Sequence, residues 1–443
     1  MGFESSLCKL SELAHVNPRR AVTKGIEVPF IDMAALPLNG RDISPPDIRA
    51  RLAKGSGARF QDGDTLVARI TPCLENGKTA QVKGLGEGVV AEGSTEFIVL
   101  CGKSPLDNAF IYYLSRSPEF REFAISRMEG TSGRQRVVWQ AIANYEFSLP
   151  PEDARRAAAE FLSIIDDRIE VLRQANVTLE AIAQALFKSW FVDFDPVRAK
   201  AEGRAPEEMD AATAALFPAD FERSELGDIP KGWRVASLQE HITAERGLSY
   251  KGTGLAEDGV PMHNLNSVLE GGGYKYSGIK YYRGDYKDRH IAQPGDIIVA
   301  NTEQGHHHRL IGFPAVVPRS FETGIYSHHL YRVRIQEHSG LTPEWLYQCL
   351  MASAVRDQII GCANGSTVNM LKPAGLQIPR FAVPSGELCA AFDAIANPIR
   401  EIAEANVARI GNLSALRDIL LPRLISGKLR LPDAEVENEA AFT

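Results

Sequence analysis

The chain has 443 residues, 49 basic against 56 acidic, for a formal net charge of −7. That length allows two or three domains with ample core, while no apolar run approaches the roughly 18 residues of a membrane span and Met1 to Leu10 lacks the basic and apolar regions of a secretory signal, so a soluble, cytoplasmic protein is expected. The negative balance taken alone argues against a nucleic-acid partner, and the six cysteines, Cys8, Cys73, Cys101, Cys349, Cys362 and Cys389, form no CxxC pair and no zinc-type spacing, as suits reduced thiols in a cytosol.

Residues 1–150 read as a mixed α and β domain. A short helix is expected over Leu7–His15, then a buried strand in the apolar run Val28–Met33. After a Pro- and Gly-rich stretch, a polar turn launches a strand within Gln61–Ile70, and Ser94–Leu100 is a further strand with β-branched and aromatic content. Ala109–Ser117 and Pro118–Met128 read as helices, and the polar, Gly-bearing segment Glu129–Arg136 as a loop.

Residues 151–200 carry a long helix. Phe161, Ile165, Ile169, Leu172, Leu179, Ala183, Leu186 and Trp190 recur at steps of three, four or seven with charged residues between them, the seam of a helix seeking a partner. At about 1.5 Å per residue, Phe161–Trp190 alone would run to roughly 45 Å. Residues 201–226 are Ala-, Glu- and Pro-rich and read as an exposed connector with at most a short helix.

Residues 227–385 repeat the first domain. Val260–Leu265 follows its counterpart Val28–Met33 by 232 residues, Gln293–Asn301 follows Gln61–Arg69 by the same offset, and the strand expected over Tyr326–Ile335 lies about 233 beyond the first domain's Ser94–Leu100. A helix over Leu341–Ile359 precedes the polar loop Asn364–Asn369. Residues 386–430 hold a second long seam, Phe392, Ile395, Ile399, Ile402, Ile410, Leu413, Leu416, Leu420 and Leu424. The tripeptide Ala-Asn-Val occurs in both helices, at 175–177 and 405–407, where a polar Asn in an apolar seam sets register. Residues 431–443 form an acidic tail expected to be disordered.

The fold class is therefore α+β: two similar mixed α/β domains separated by two long antiparallel helices that form an intramolecular coiled coil with a pseudo-twofold repeat. Charge follows the same division. The two domains are near neutral, with 18 basic against 17 acidic residues in 1–150 and 16 against 14 in 227–385, and the acid gathers in the helical segments. A near-neutral domain can still bind DNA if its bases cluster on one face. A dimer-like reader suits duplex DNA, where two modules touch two sites about one helical turn, 34 to 36 Å, apart. Because the two domains share layout but not loop sequence, the half-sites should differ.

ALFKSWFVDFDPVRAKAEG (Ala185–Gly203), LFPADF (Leu216–Phe221) and SELGDIPKGW (Ser224–Trp233) resemble the central region of type I restriction-modification specificity subunits, and LRDILLPRLISGKL (Leu416–Leu429) resembles their distal region. The resemblance covers essentially the whole chain. It implies a prokaryotic protein with two target-recognition domains, helices that dock two methyltransferase subunits, recruitment of an endonuclease/translocase subunit, and no chemistry or cofactor of its own. S-adenosylmethionine would belong to the methyltransferase, ATP and Mg to the endonuclease. The residues agree: SPPD at Ser44 lacks the aromatic of an adenine-methyltransferase motif, the glycines from Gly84 are not spaced GxGxxG, and no GxxxxGK[ST] loop is present. Two alternatives remain open, a coiled-coil scaffold whose domains bind protein rather than DNA, and a self-sufficient nuclease or methyltransferase with a fused reader.

Candidate DNA contacts come from side chains that bond base edges and phosphates. In the first domain they are Arg134, Gln135 and Arg136 in the loop beside Ser132, with Arg69 and Lys78 flanking the turn after the Gln61–Ile70 strand. In the second they are Asn364, Ser366, Thr367 and Asn369, with Asn301, Gln304 and Arg309. Polar Gly-bearing loops are more often plain turns, so these are candidates only. His306, His307 and His308 with His328 and His329 suggest metal ligands, but neighbouring residues on a strand point to opposite faces, and a polar or groove-facing surface is expected instead. Phe187, Trp190, Phe191 and Phe194 at the end of the first long helix are either core or a subunit-docking patch.

Overall fold

A computed structural model describes residues 6–131, 133–305, 307–365 and 368–431. Two helices of 40 residues each, Glu152–Phe191 and Gly386–Ile425, are its longest elements. The first begins nine residues before the apolar seam, because Pro150 and Pro151 stop the preceding strand and Glu152 and Asp153 suit the positive end of a helix. Ser385 starts the second, its Oγ accepting from the Leu388 N–H at 3.2 Å. That second helix runs through Pro398 and Gly411, each unfavourable in a helix interior, by about 3 and 1 kcal/mol relative to Ala. Packing, through buried Leu388, Phe392 and Ala396, has to offset that cost.

The chain divides into two units, residues 1–172 with 409–443, and residues 173–408. Each unit therefore holds one half of each long helix. In unit 1, Asp166 of the first helix meets Arg417 of the second at 2.7 Å. In unit 2, Asn176 meets Asn406 at 2.8 Å, and Phe187 lies 5.7 Å from Phe392. In unit 2, rising numbers on one helix face falling numbers on the other, so there the halves run antiparallel.

Both units are built on one topology. In unit 1, an antiparallel sheet orders Ala14–Val16, Phe97–Gly102, Thr65–Ala68 and Thr79–Gln81 side by side. A second sheet orders Arg49–Leu52, Glu27–Ile31, Ala91–Gly93 and Ala58–Phe60, with its middle pair parallel. Unit 2 repeats this with Ile242–Arg246, Leu330–Ile335, Ile297–Ala300 and Pro314–Val316, then Lys280–Tyr282, Val260–His263, Gly324–Tyr326 and Ile291–Ala292, again with the middle pair parallel. Unit 2 adds an edge strand, Leu255–Ala256. Leu66–Ala68, Phe97–Leu100 and Ile297–Ala300 are apolar throughout because both faces are covered. Leu66, Phe97 and Val99 point into the core between the sheets, whereas Val67, Ile98 and Leu100 point toward the helices.

Several expectations are corrected. Leu7–His15 is two strands, Ser6–Lys9 and Ala14–Val16, around a single helical turn, because Ser6–Lys9 is held by Glu146–Leu149. Tyr326–Ile335 is not one strand: Gly324–Tyr326 and Leu330–Ile335 belong to different sheets. The helix over Leu341–Ile359 is two, Pro343–Met351 and Ser353–Gly361, broken at extended Ala352, as Ser117 breaks the pair in unit 1. The connector is not simply exposed. Phe221–Ser224 pairs with Gly227–Pro230 across the expected boundary at 226, and Phe217 is buried in the unit 2 core.

The seam of the second helix holds at its ends, where Phe392 and Leu424 are buried, and departs from expectation between them. Its buried face carries Ala396, Asn406, Arg417 and Leu421, while Ile395, Ile402 and Leu416 are exposed. The acidic tail, residues 432–443, lies outside the described residues. No helix among the described residues is long and apolar enough to cross a membrane.

Candidate nucleic-acid interface

Each unit carries a short two-stranded arm at the end of its central sheet. In unit 1, Met128–Glu129 pairs with Arg136–Val137, and Ile70, just past the strand Thr65–Ala68, bridges to Arg136. In unit 2, Thr302–Gln304, just past Ile297–Ala300, pairs with Val368–Met370. The offset of 232 that relates the strands thus also relates the arms, from Ile70 to Thr302. Loops hung on such arms are positioned by a sheet but free to vary, as recognition requires.

In unit 1, Arg134 is exposed on the arm's loop, and its side chain has no partner among the described residues. Arg136 is committed elsewhere: its Nε and Nη2 donate to the Glu96 carboxylate at 2.9 and 2.7 Å, which raises its pKa further. Gln135 is held by its backbone, its N–H donating to Thr71 Oγ1 at 3.1 Å and its carbonyl accepting from the Thr71 N–H at 3.1 Å. Lys78 is half-buried, and its Nζ donates to the Met33 carbonyl at 2.8 Å. Arg69 lies half-buried on a basin of about 480 Å³ that Arg19, Arg20 and Arg59 also line. Sequence reasoning missed these three arginines, and the adjacent Arg19-Arg20 pair after Asn17-Pro18 was the signal.

In unit 2, Asn301 is buried and donates from Nδ2 to the His328 carbonyl at 3.0 Å. Asn369 is likewise buried and donates to the Gly305 carbonyl at 2.8 Å. Both are corrected: they are fasteners of the arm, drawn inside because a buried carbonyl needs a donor. Gln304 and Asn364 are exposed, and exposed Arg309 sits 3.6 Å from Glu270. Their loop is organised by Glu303. Burial pushes that carboxyl up, but the N–H groups of Ile311, Arg309 and Leu310 at 3.1, 3.0 and 3.2 Å outweigh it and hold the pKa below its usual value. Ser132, His306, Ser366 and Thr367 lie outside the described residues.

His328 and His329 sit in a turn rather than on a strand, their rings 3.9 Å apart, with Tyr250 6.0 Å from His328. His329 and Lys275, Lys280, Asn266 and Tyr250 line a unit 2 basin of about 580 Å³. Among the described residues, no three His, Cys, Asp or Glu side chains are grouped as metal ligands. Burial raises the thiol pKa of Cys8 to about 11 and pushes those of Cys349 and Cys389 further, which leaves them protonated and poorly nucleophilic.

Of the two readings of the aromatic cluster, core or docking patch, the structure gives core. Phe187, Trp190 and Phe191 are buried in the unit 2 core, with Trp345 5.6 Å from Phe187 and Phe217 5.3 Å from Trp190. Phe194, half-buried at φ 56°, turns the chain and packs on Trp233 at 5.7 Å. Large aliphatics are exposed on the helices instead. Unit 1 presents Ile164, Val171, Leu416 and Ile419, and unit 2 presents Val177, Ile182, Ile395 and Ile402. Ile164 and Val171 are seven residues apart, as are Ile395 and Ile402, the spacing of a second helical seam.

No protein-family model matches the chain. It is 25% identical, over 84% of its length and 87% of the relative's, to the type I restriction enzyme HindI specificity subunit of Haemophilus influenzae. It is 24% identical, over 75% of its length and 71% of the relative's, to the type I restriction enzyme MjaIX specificity subunit of Methanocaldococcus jannaschii. Its fold is similar to that of the S subunit of a type I restriction-modification system from M. genitalium, with a TM-score of 0.50 at 14% identity and 95% of each chain covered.

Proposed function

We infer that this chain, which belongs to the specificity subunits of type I restriction-modification enzymes, selects DNA sequence on behalf of a larger complex. Each unit reads one half of a bipartite, asymmetric site in double-stranded DNA. The observation that carries this is the match of sheet topology between units whose exposed surfaces differ, arginine in unit 1 and Tyr, His, Lys and Asn in unit 2. One scaffold with two surface chemistries suits two different half-sites. Phosphate contacts supply most of the affinity and base edges the discrimination.

The helices dock two methyltransferase subunits, one on each unit's exposed aliphatics, and set the gap between half-sites by their length. Exposed apolar side chains at helical spacing are what a partner helix buries. The chain itself is non-catalytic and holds no cofactor. Methyl transfer from S-adenosylmethionine, with extrusion of the target adenine, belongs to the methyltransferases, and ATP with Mg to a recruited endonuclease/translocase subunit.

Genome-wide methylation mapping, in a host carrying this chain and its methyltransferase, tests the reading. A single motif of two unlike halves separated by a fixed gap is expected, absent when the chain is deleted. Methylation at a continuous motif, or methyl transfer by the purified chain alone, would overturn it.

A further inference from the structure

The unit 1 basin holds more positive charge than the fold neutralises. Arg20 is taken up by Asp64, which is buried. Arg59 donates only to carbonyls, those of Arg20 at 2.6 Å and Gly55 at 3.0 Å. Exposed Arg19 has no side-chain partner among the described residues, and Arg69 has none either although its Nε is buried. No carboxylate lines the basin. A buried donor on a charged group with nothing to accept is costly, and an incoming anion removes that cost.

The walls are built rigidly. Asn17 holds the left-handed φ of 51°, its N–H donating to the Val99 carbonyl at 2.7 Å and its Oδ1 accepting from the Val99 N–H at 2.9 Å. That turn pins the segment bearing Arg19 and Arg20 to the central sheet. Gly57 closes the opposite side, where a Cβ would come within 2.3 Å of the Gly93 carbonyl oxygen. Arg69 ties the basin to the arm, since its carbonyl accepts from the Val137 N–H at 2.9 Å.

We propose that Arg19, Arg59 and Arg69 form a clamp for the DNA backbone phosphates beside the unit 1 arm, which fixes the arm's register on the duplex. The proposal rests on the reading of the chain as a DNA-selecting subunit. Several guanidiniums on one basin favour phosphate, whose oxygens accept from more than one arginine, over a base edge, which takes one bidentate arginine. Unit 2 does not repeat Arg69 at the matching position. Asn301, 232 residues after Arg69, is buried on the His328 carbonyl.

The test uses the complex of the full chain with its methyltransferase subunits, a duplex bearing the mapped motif and a scrambled duplex, with Kd followed across a salt series. Arg19→Gln and Arg69→Gln are each expected to lower the slope of log Kd against log salt by about 0.9, and to weaken both duplexes by about tenfold while their ratio holds. Arg19→Lys keeps the slope. Unchanged slopes in both Gln variants, or a ratio that collapses as a base contact would make it, overturn the proposal. Arg19 is exposed, so its variant reports even if Arg69→Gln lowers the melting temperature. A wild-type complex that does not distinguish the duplexes sinks the DNA-selecting reading itself, whereas a selective wild type with unaltered variants sinks only the clamp.

Discussion

Replacing Arg417 by Met removes one partner of the ion pair that joins the two long helices inside unit 1. Arg417 and Asp166 have side chains only 5% and 3% exposed, and their 2.7 Å contact is the main compensation for Asp166, whose other oxygen accepts from the Tyr113 hydroxyl at 2.8 Å. Burial and the Asp166 charge both push that hydroxyl's pKa far up, so it remains a donor. A neutral hydroxyl cannot replace a guanidinium, and breaking a buried pair from one side costs about 3–5 kcal/mol. The lost contact to Asp418 adds little, because that carboxylate is 64% exposed. For a domain of this size each kcal/mol lowers Tm by about 2–4 °C, so calorimetry should show unit 1 melting about 6–20 °C earlier. The double variant Asp166→Leu with Arg417→Leu leaves no stranded charge and is expected within about 2 kcal/mol of wild type. A single variant that costs under about 1 kcal/mol, or a double variant as damaging as the single, would refute the reasoning.

Acid should destabilise unit 2 through His263, which is fully buried and whose pKa burial lowers from 6.5 to about 4. The unfolded chain takes up that proton first, so stability falls as pH drops from about 6.5 to about 4, by up to about 3 kcal/mol, and denaturant titrations of His263→Gln should lose that pH dependence. Val171→Glu in unit 1 and Ile402→Glu in unit 2 leave melting nearly unchanged but each abolish binding of one methyltransferase subunit, read as the mass of the complex by light scattering; retention of both subunits would rule out the exposed stripes as the docking surface. Arg134→Ala should relax the methylated motif in one half only and Gln304→Ala in the other, read by methylation mapping, and loss of selectivity in both halves from either variant would count against modular reading.

The two long helices, the central strands and the duplicated layout were legible in the sequence because each is written in neighbouring residues. Apolar spacing announces a helix or a buried strand, and the same landmarks recurring 232 residues later announce a second copy. Which way a given side chain faces was not legible. Ile395 and Ala396 are adjacent, and either fits a helical stripe, but packing of the unit 2 core buries the alanine and leaves the isoleucine outside. Arg136 and Arg69 are equally good contacts on paper, and only the placement of Glu96, 40 residues from Arg136, ties up the one and leaves the other with an unmet donor. Local periodicity is a property of adjacent residues, whereas the pairing of charges and the choice of exposed face depend on partners that only folding brings within a few ångströms.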